Sequence, residues 1–122
     1  MDYFLTDEQK EIKALARQIA EERVLPVRAE LDETEEFPWD IVKELGQSDM
    51  YRVFVPEEYE GLGGGTLELC LVTEELARVC SGVAVTYAAS ALGCLTLIEY
   101  GTEDQKQKYL PAIASGETIG AF

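Results

Sequence analysis

Histidine does not occur anywhere in the 122 residues. That absence removes the commonest general base and metal ligand of neutral pH. It makes a zinc site implausible and excludes the Glu-x-x-His pattern of di-iron bundles. Basic residues are scarce as well: 10 Lys and Arg stand against 24 Asp and Glu, a net charge of −14. The acids form no tail, because residues 1–40 and 41–122 each hold 12 acids and 5 bases. So evenly acidic a surface repels nucleic acid and anionic lipid, and it offers a free phosphate-bearing ligand little to meet. Cysteine is sparse. Cys70, Cys80 and Cys94 make an odd count without Cys-x-x-Cys spacing, and read as reduced, buried, intracellular thiols. With no histidine to activate them they are poor nucleophiles. The start, MDYFLTDEQ, lacks the basic-then-apolar order of a secretory signal.

What remains is an ordinary globular composition, 47% apolar and 28% charged, on a chain of single-domain length. The pattern is helical throughout. TDEQ at 6–9 is a capping box, followed by a stripe of Ile12, Leu15, Ala16, Ile19 and Val27, interrupted by Arg23. Pro26 is expected to bend this helix. ELDETEE (30–36) reads as a solvated helix end or loop. FPWDIVKELGQ (37–47) predicts a second helix, with Pro38 in its first turn, Gly46 at its C-terminal cap, and Trp39, Val42 and Leu45 on one face. DMYRVFVP (49–56) reads as an extended apolar link. Thr66 then caps a helix over 67–79, with Leu69, Val72, Leu76 and Val79 inward. Its neighbours Glu74 and Glu75 point apart and read as solvated, so they make no acid/base dyad.

VCSGVAVTYAASALGCLTLI (79–98) carries no charge. It is just long enough for a membrane span, but its many small and weakly polar residues predict a wholly buried central helix instead. Ala88, Ala89, Ala91 and Gly93 either let another element come close or leave room for a ligand. Tyr87 stands among them, with a hydroxyl that needs a partner. TEDQ (102–105) is a second capping box, Pro111 interrupts its helix and Gly116 ends it. TIGAF (118–122) resembles the start of a strand, and a domain stopping on two apolar residues looks cut. The fold class is therefore all-α, an up-and-down domain of five to six helices.

PEEYEGLGGG (56–65) is the most chemical-looking stretch. A dinucleotide loop needs a preceding strand and a P-loop needs Gly-Lys-Ser/Thr at its end. Here Gly65 is followed by Thr66 and Leu67, and Glu57, Glu58 and Glu60 lie beside the loop. It is read as a turn that uses glycine for backbone freedom.

Four stretches in order carry a resemblance. LTDEQKEIKALARQIAEERVLPVRAELDETEEFPWDIVKELGQ, VPEEYEGLGGG, LVTEELARVCSG and GTEDQKQKYLPAIASGE together resemble the amino-terminal helical domain of acyl-CoA dehydrogenases, over essentially the whole chain. On that resemblance, 1–117 is the helical domain and 118–122 the start of a middle β-domain. The resemblance implies an FAD flavoprotein that oxidises an acyl-CoA thioester to its 2,3-enoyl form and passes electrons to an electron-transferring flavoprotein. It implies that the catalytic carboxylate and most FAD and CoA contacts lie in the β-domain and a carboxy-terminal helical domain, so no catalytic residue is assigned here. Tyr87, Ala88, Ser90, Ala91 and Leu92 match the helix lining the far end of the acyl pocket, with Tyr87 narrowing it toward short, branched or aromatic acyl groups. Phe122 matches the first residue of an FAD-contacting segment. The family reading also implies a homo-oligomer, in the cytoplasm or the mitochondrial matrix, and a chain that alone is inactive and holds no FAD. Two departures stand out. The family's Gly-Leu-x-Gly-Ile is Asp49-Met50-Tyr51-Arg52-Val53 here, and its Tyr-Gly-Gly is Tyr59-Glu60-Gly61. The rival expectation is a stand-alone helical interaction module without chemistry.

Overall fold

The computed structural model describes residues 4–121. Helix α1 (Asp7–Ile19) begins on the expected box: Gln9 N–H donates to Thr6 Oγ1 at 3.1 Å, and Thr6 N–H to Gln9 Oε1 at 2.9 Å. Asp7 and Glu8 sit in its first turn, where the helix dipole favours acids. Before Pro26 the helix loosens into a π turn over Ala20–Val24, closed by Leu25 N–H to Ala20 O at 2.9 Å. The proline ring cannot share an α-helical turn with the carbonyls before it, so the expected bend takes this form. Helix α2 (Arg28–Thr34) buries nothing, as a solvated helix end should. It stops at Glu35 in the left-handed conformation.

Helix α3 (Trp39–Gln47) buries Ile41, Val42, Leu45 and Gly46. Three expectations fail here. Trp39 does not share the inward face; it is 64% exposed and stacks on Phe37 at 4.6 Å between ring centroids. Pro38 precedes the first turn rather than lying in it. Gly46 is not a cap but a packing point, where a Cβ would meet the backbone of Gly116 at 3.1 Å. Nor is the next segment extended. Asp49 turns left-handed (φ 60°) and Met50–Phe54 coil into a tight 3₁₀ turn that buries Met50, Tyr51, Val53 and Phe54. Arg52 holds that turn shut, through its Nε on Asp49 Oδ1 at 2.9 Å and its Nη1 on the Glu60 carbonyl.

The glycine loop folds back on this turn. Leu62 N–H reaches Arg52 O at 2.7 Å and Gly63 N–H reaches Val55 O at 2.9 Å. A Cβ on Gly61 would overlap the Val55 carbonyl, and Gly63 has φ +72°. Helix α4 (Thr66–Ala77) starts one residue earlier than expected, because the cap is Gly65 and not Thr66. Glu68 supplies the missing acceptor, taking Gly65 N–H at 2.8 Å. The helix also ends before 79.

Helix α5 (Ser81–Tyr100) packs on α4, with α3, α6 and the 50–54 turn also against it. By length and composition it could cross a membrane. It buries Val83, Ala84, Tyr87, Ser90, Ala91 and Cys94 against these neighbours but leaves Val85 and Leu92 exposed, so it is not the wholly buried helix expected. Helix α6 (Glu103–Ala114) opens on the second expected box, Thr102 with Gln105, and Gly116 (φ +76°) terminates it. Among the described residues, 118–121 included, there is no strand. Residues 118–121 lie along α5, where a Cβ on Gly120 would come within 2.6 Å of Ser90 O.

Of the three residues that stand where the resemblance puts family glycines, Asp49 and Glu60 keep a glycine's conformation (φ 60° and 69°) and Arg52 does not. Left-handed backbone costs a non-glycine residue about 1 kcal/mol or more. Glu60→Gly should therefore stabilise the fold by about 0.5–1 kcal/mol. Gly61→Ala should destabilise it by about 3 kcal/mol or more. Urea titration of both variants checks this, and equal midpoints would refute it.

Candidate functional site

The site expectation rests on α5, and the structure divides its residues between two faces. Tyr87, Ser90 and Ala91 turn inward and are fully buried. The Tyr87 hydroxyl donates to Met50 O at 3.0 Å, and its ring packs against Tyr51 and Phe54 with centroids 5.7 and 5.6 Å apart. Burial pushes the Tyr87 phenol well above its usual range, so it stays a neutral donor. Ser90 Oγ lies 3.4 Å from Thr86 O. Ala88 is half-buried and Leu92 is 52% exposed, on the opposite face with Val85 (65%). That outer face has no charged side chain from Ser81 to Ile98. Val85, Ala88 and Leu92 make an uncharged apolar stripe there at the molecular surface, flanked by the exposed Ser81 and Thr96. The small inward residues allow a close approach, and what approaches is the 120–121 segment: a Cβ on Gly93 would meet Ala121 O at 3.1 Å.

A second constellation escaped sequence reasoning. Glu75, expected in solvent, is only 2% exposed. Arg17 of α1 grips both its oxygens, Nε on Oε2 and Nη2 on Oε1, each at 3.0 Å. Arg78 Nη1 donates to Oε2 at 2.8 Å, and Lys13 Nζ stands 3.9 Å from Oε1. Arg17 chiefly, with Arg78, holds the carboxyl below the usual carboxylate range, against burial, which pushes the other way. The readable signal was spacing. Lys13 and Arg17 sit four apart on α1, and Glu75 lies between the core residues Val72 and Leu76 on α4.

The glycine loop gives the N–H groups of Gly61, Leu62, Gly63 and Gly65 to acceptors within the chain. Every arginine is likewise engaged: Arg17 and Arg78 on Glu75, Arg23 on Glu44, Arg28 on Val79 O, and Arg52 on Asp49 and the Glu60 carbonyl. Phe122, the residue matched to an FAD contact, lies outside the described residues. Of the cysteines, Cys94 is buried as expected, with burial pushing its thiol up to about 12. Cys80 is half-buried, and Cys70, against expectation, is exposed. No group of three or more Cys, Asp or Glu among the described residues is placed to hold a metal ion.

Comparison with known proteins agrees with this architecture. The family model for the acyl-CoA dehydrogenase N-terminal domain matches residues 6–117. A short-chain specific acyl-CoA dehydrogenase of Clostridium acetobutylicum is 46% identical over 123 aligned residues, taking in all of this chain and 32% of that protein. A chain solved in work on the electron transferring flavoprotein of Acidaminococcus fermentans superposes with TM-score 0.91 and 34% identity, over 98% of this chain and 32% of that one. An acyl-CoA dehydrogenase complexed with FAD from Bacillus anthracis gives TM-score 0.84 and 31% identity, over 95% and 20%. The chain thus spans about a third of the length of the first of these relatives.

Glu75→Gln should lower stability at neutral pH by about 3 kcal/mol, the low end for a broken buried pair, because Arg17 and Arg78 are half-exposed and can turn to water. The sign with pH follows from the depressed carboxyl. Its stabilisation is present above the unfolded value near ~4.3 and is lost as pH falls through the folded value. The wild type should lose stability in that acid window and Glu75→Gln should lose less. Parallel acid-limb curves in a urea-pH series would contradict the assignment.

Proposed function

The chain belongs to the acyl-CoA dehydrogenase family as its N-terminal helical domain, and we propose on that basis that it forms one wall of the acyl site of an FAD-dependent enzyme. The substrate is a short acyl-CoA thioester and the reaction is its α,β-oxidation to the enoyl-CoA. The observation that carries this is the exposed, uncharged outer face of α5. Its stripe of Val85, Ala88 and Leu92 suits the terminal carbons of an acyl chain. Leu92 and Ala88, with Val85 beside them, are the residues proposed to touch the substrate. Tyr87, Ser90 and Ala91 act from behind, holding the helix at its place. The 46% identity to a short-chain specific relative supports a short chain.

FAD, when bound, supplies the hydride acceptor. Its contacts and the proton-abstracting carboxylate are proposed to lie in the β-domain and C-terminal helical domain, and electrons to leave through an electron-transferring flavoprotein. The assembly is a homo-oligomer, in the cytoplasm or, in a eukaryote, the mitochondrial matrix. The 122 residues alone are proposed to be inactive and free of flavin. An inert helical interaction module would also present an exposed apolar face; flavin absorbance of the protein purified from its natural source, present on the enzyme reading and absent on the module reading, separates the two.

Leu92→Phe in the proposed full-length enzyme should shorten the accepted chain. The ratio of kcat/KM for octanoyl-CoA to that for butyryl-CoA should fall by about tenfold, the scale of a methylene or two in an apolar pocket. Ala88→Leu should act in the same direction. An unchanged ratio in both variants would remove α5 from the acyl site.

A further inference from the structure

We propose that Glu75 is a positioning residue that sets the tilt of α5 and thereby the acyl-chain length the pocket accepts. This rests on the reading of α5 as the acyl wall. Glu75 belongs to α4 and takes no part in that wall. It ties the last turn of α4 to α1 through Arg17 (3.0 Å on each oxygen) and closes on Arg78 at 2.8 Å. Arg78 is the C-terminal cap of α4, and the corner into α5 comes at once through Val79 and Cys80. A second element holds the same corner: Arg28 of α2 donates to Val79 O at 2.9 Å. Two charged side chains and one buried carboxylate therefore fix where α5 begins.

Beyond the corner, three of the six inward residues of α5, Ala84, Ser90 and Ala91, are small, and small side chains make low ridges at those positions. The firm inward anchor along its length is Tyr87, through its hydroxyl on Met50 O at 3.0 Å and the aromatic cluster. With Tyr87 as pivot, freeing the corner lets the helix tilt, and Val85 and Leu92 move in opposite senses across the wall. Tyr87 and Leu92 are about 7.5 Å apart along the axis, so a tilt of a few degrees about Tyr87 shifts Leu92 by a few tenths of an ångström. Misplacement on that scale changes rates severalfold.

The test uses the proposed full-length enzyme, with Arg78→Met, Arg28→Met and Glu75→Gln. The arginines are exposed, so their variants keep a folded protein even where Glu75→Gln does not. The octanoyl-to-butyryl ratio of kcat/KM should shift by about threefold or more in Arg78→Met and Arg28→Met, and Arg78→Lys, which keeps a donor, should restore it. A purely structural clamp would lower the melting midpoint and leave the ratio within about twofold, and that result overturns the proposal. Leu92→Phe separates the two layers. If it shifts the ratio and the corner variants do not, the positioning role alone fails. If it leaves the ratio unchanged, the acyl-wall reading fails and takes this proposal with it.

Discussion

A carboxylate buried between two helices is the constraint on which the rest of this domain depends. Taking one ion out of water costs several kcal/mol even after relaxation. Glu75 offsets that cost with the two-pronged guanidinium of Arg17 and a further bond from Arg78, the charge-assisted geometry that Arg provides and Lys does not. The cations keep half their surface in water, so only the anion is fully desolvated. The Arg17 pair joins α1 to α4, and the corner into the next helix follows Arg78 directly.

From that corner the chain enters a helix whose character is set by small side chains. Small residues give up apolar contact area but allow backbone to come close. Here the benefit is visible at Ser90 and Gly93, against which residues 120–121 lie. Tyr87 supplies most of the bulk, and its ring joins those of Tyr51 and Phe54 in one aromatic cluster. The cluster is not fully satisfied: the Tyr51 hydroxyl is buried with no partner among the described residues, and burial pushes its phenol up to about 12. An apolar inward face locked by aromatics leaves the outward face free to be apolar for another reason. Contact with an acyl chain is the proposed one.

Local signals in the sequence are sound where the physics is local. Both Thr-x-x-Gln boxes form as read, because a cap needs only residues three apart. The π turn at Ala20–Val24 and the stop at Gly116 follow from single residues. Burial is legible less often. Glu75 and Trp39 exchange their expected places, the acid inside and the indole outside. Hydropathy ranks each residue alone, whereas the carboxylate is buried by two arginines, one of them distant in sequence and on another helix. The 49–56 link departs from its extended reading for a related reason: its tight turn depends on Arg52 reaching Glu60, and on Asp49 and Glu60 accepting a backbone that family glycines would adopt freely. The family itself is legible from the order of motifs. The division of α5 into a structural and an outward face is not, because nearly every position on it is apolar or small.

The central claim is that the outward face of α5 meets the end of the acyl chain. The most direct measurement is photolabelling of the proposed full-length enzyme with a butyryl- or hexanoyl-CoA analogue bearing a diazirine at its terminal carbon, followed by peptide mapping. The account predicts label on the α5 peptide at Leu92 or Ala88, displaced by unlabelled substrate. Displaceable label confined to other segments, with α5 clean, would contradict it.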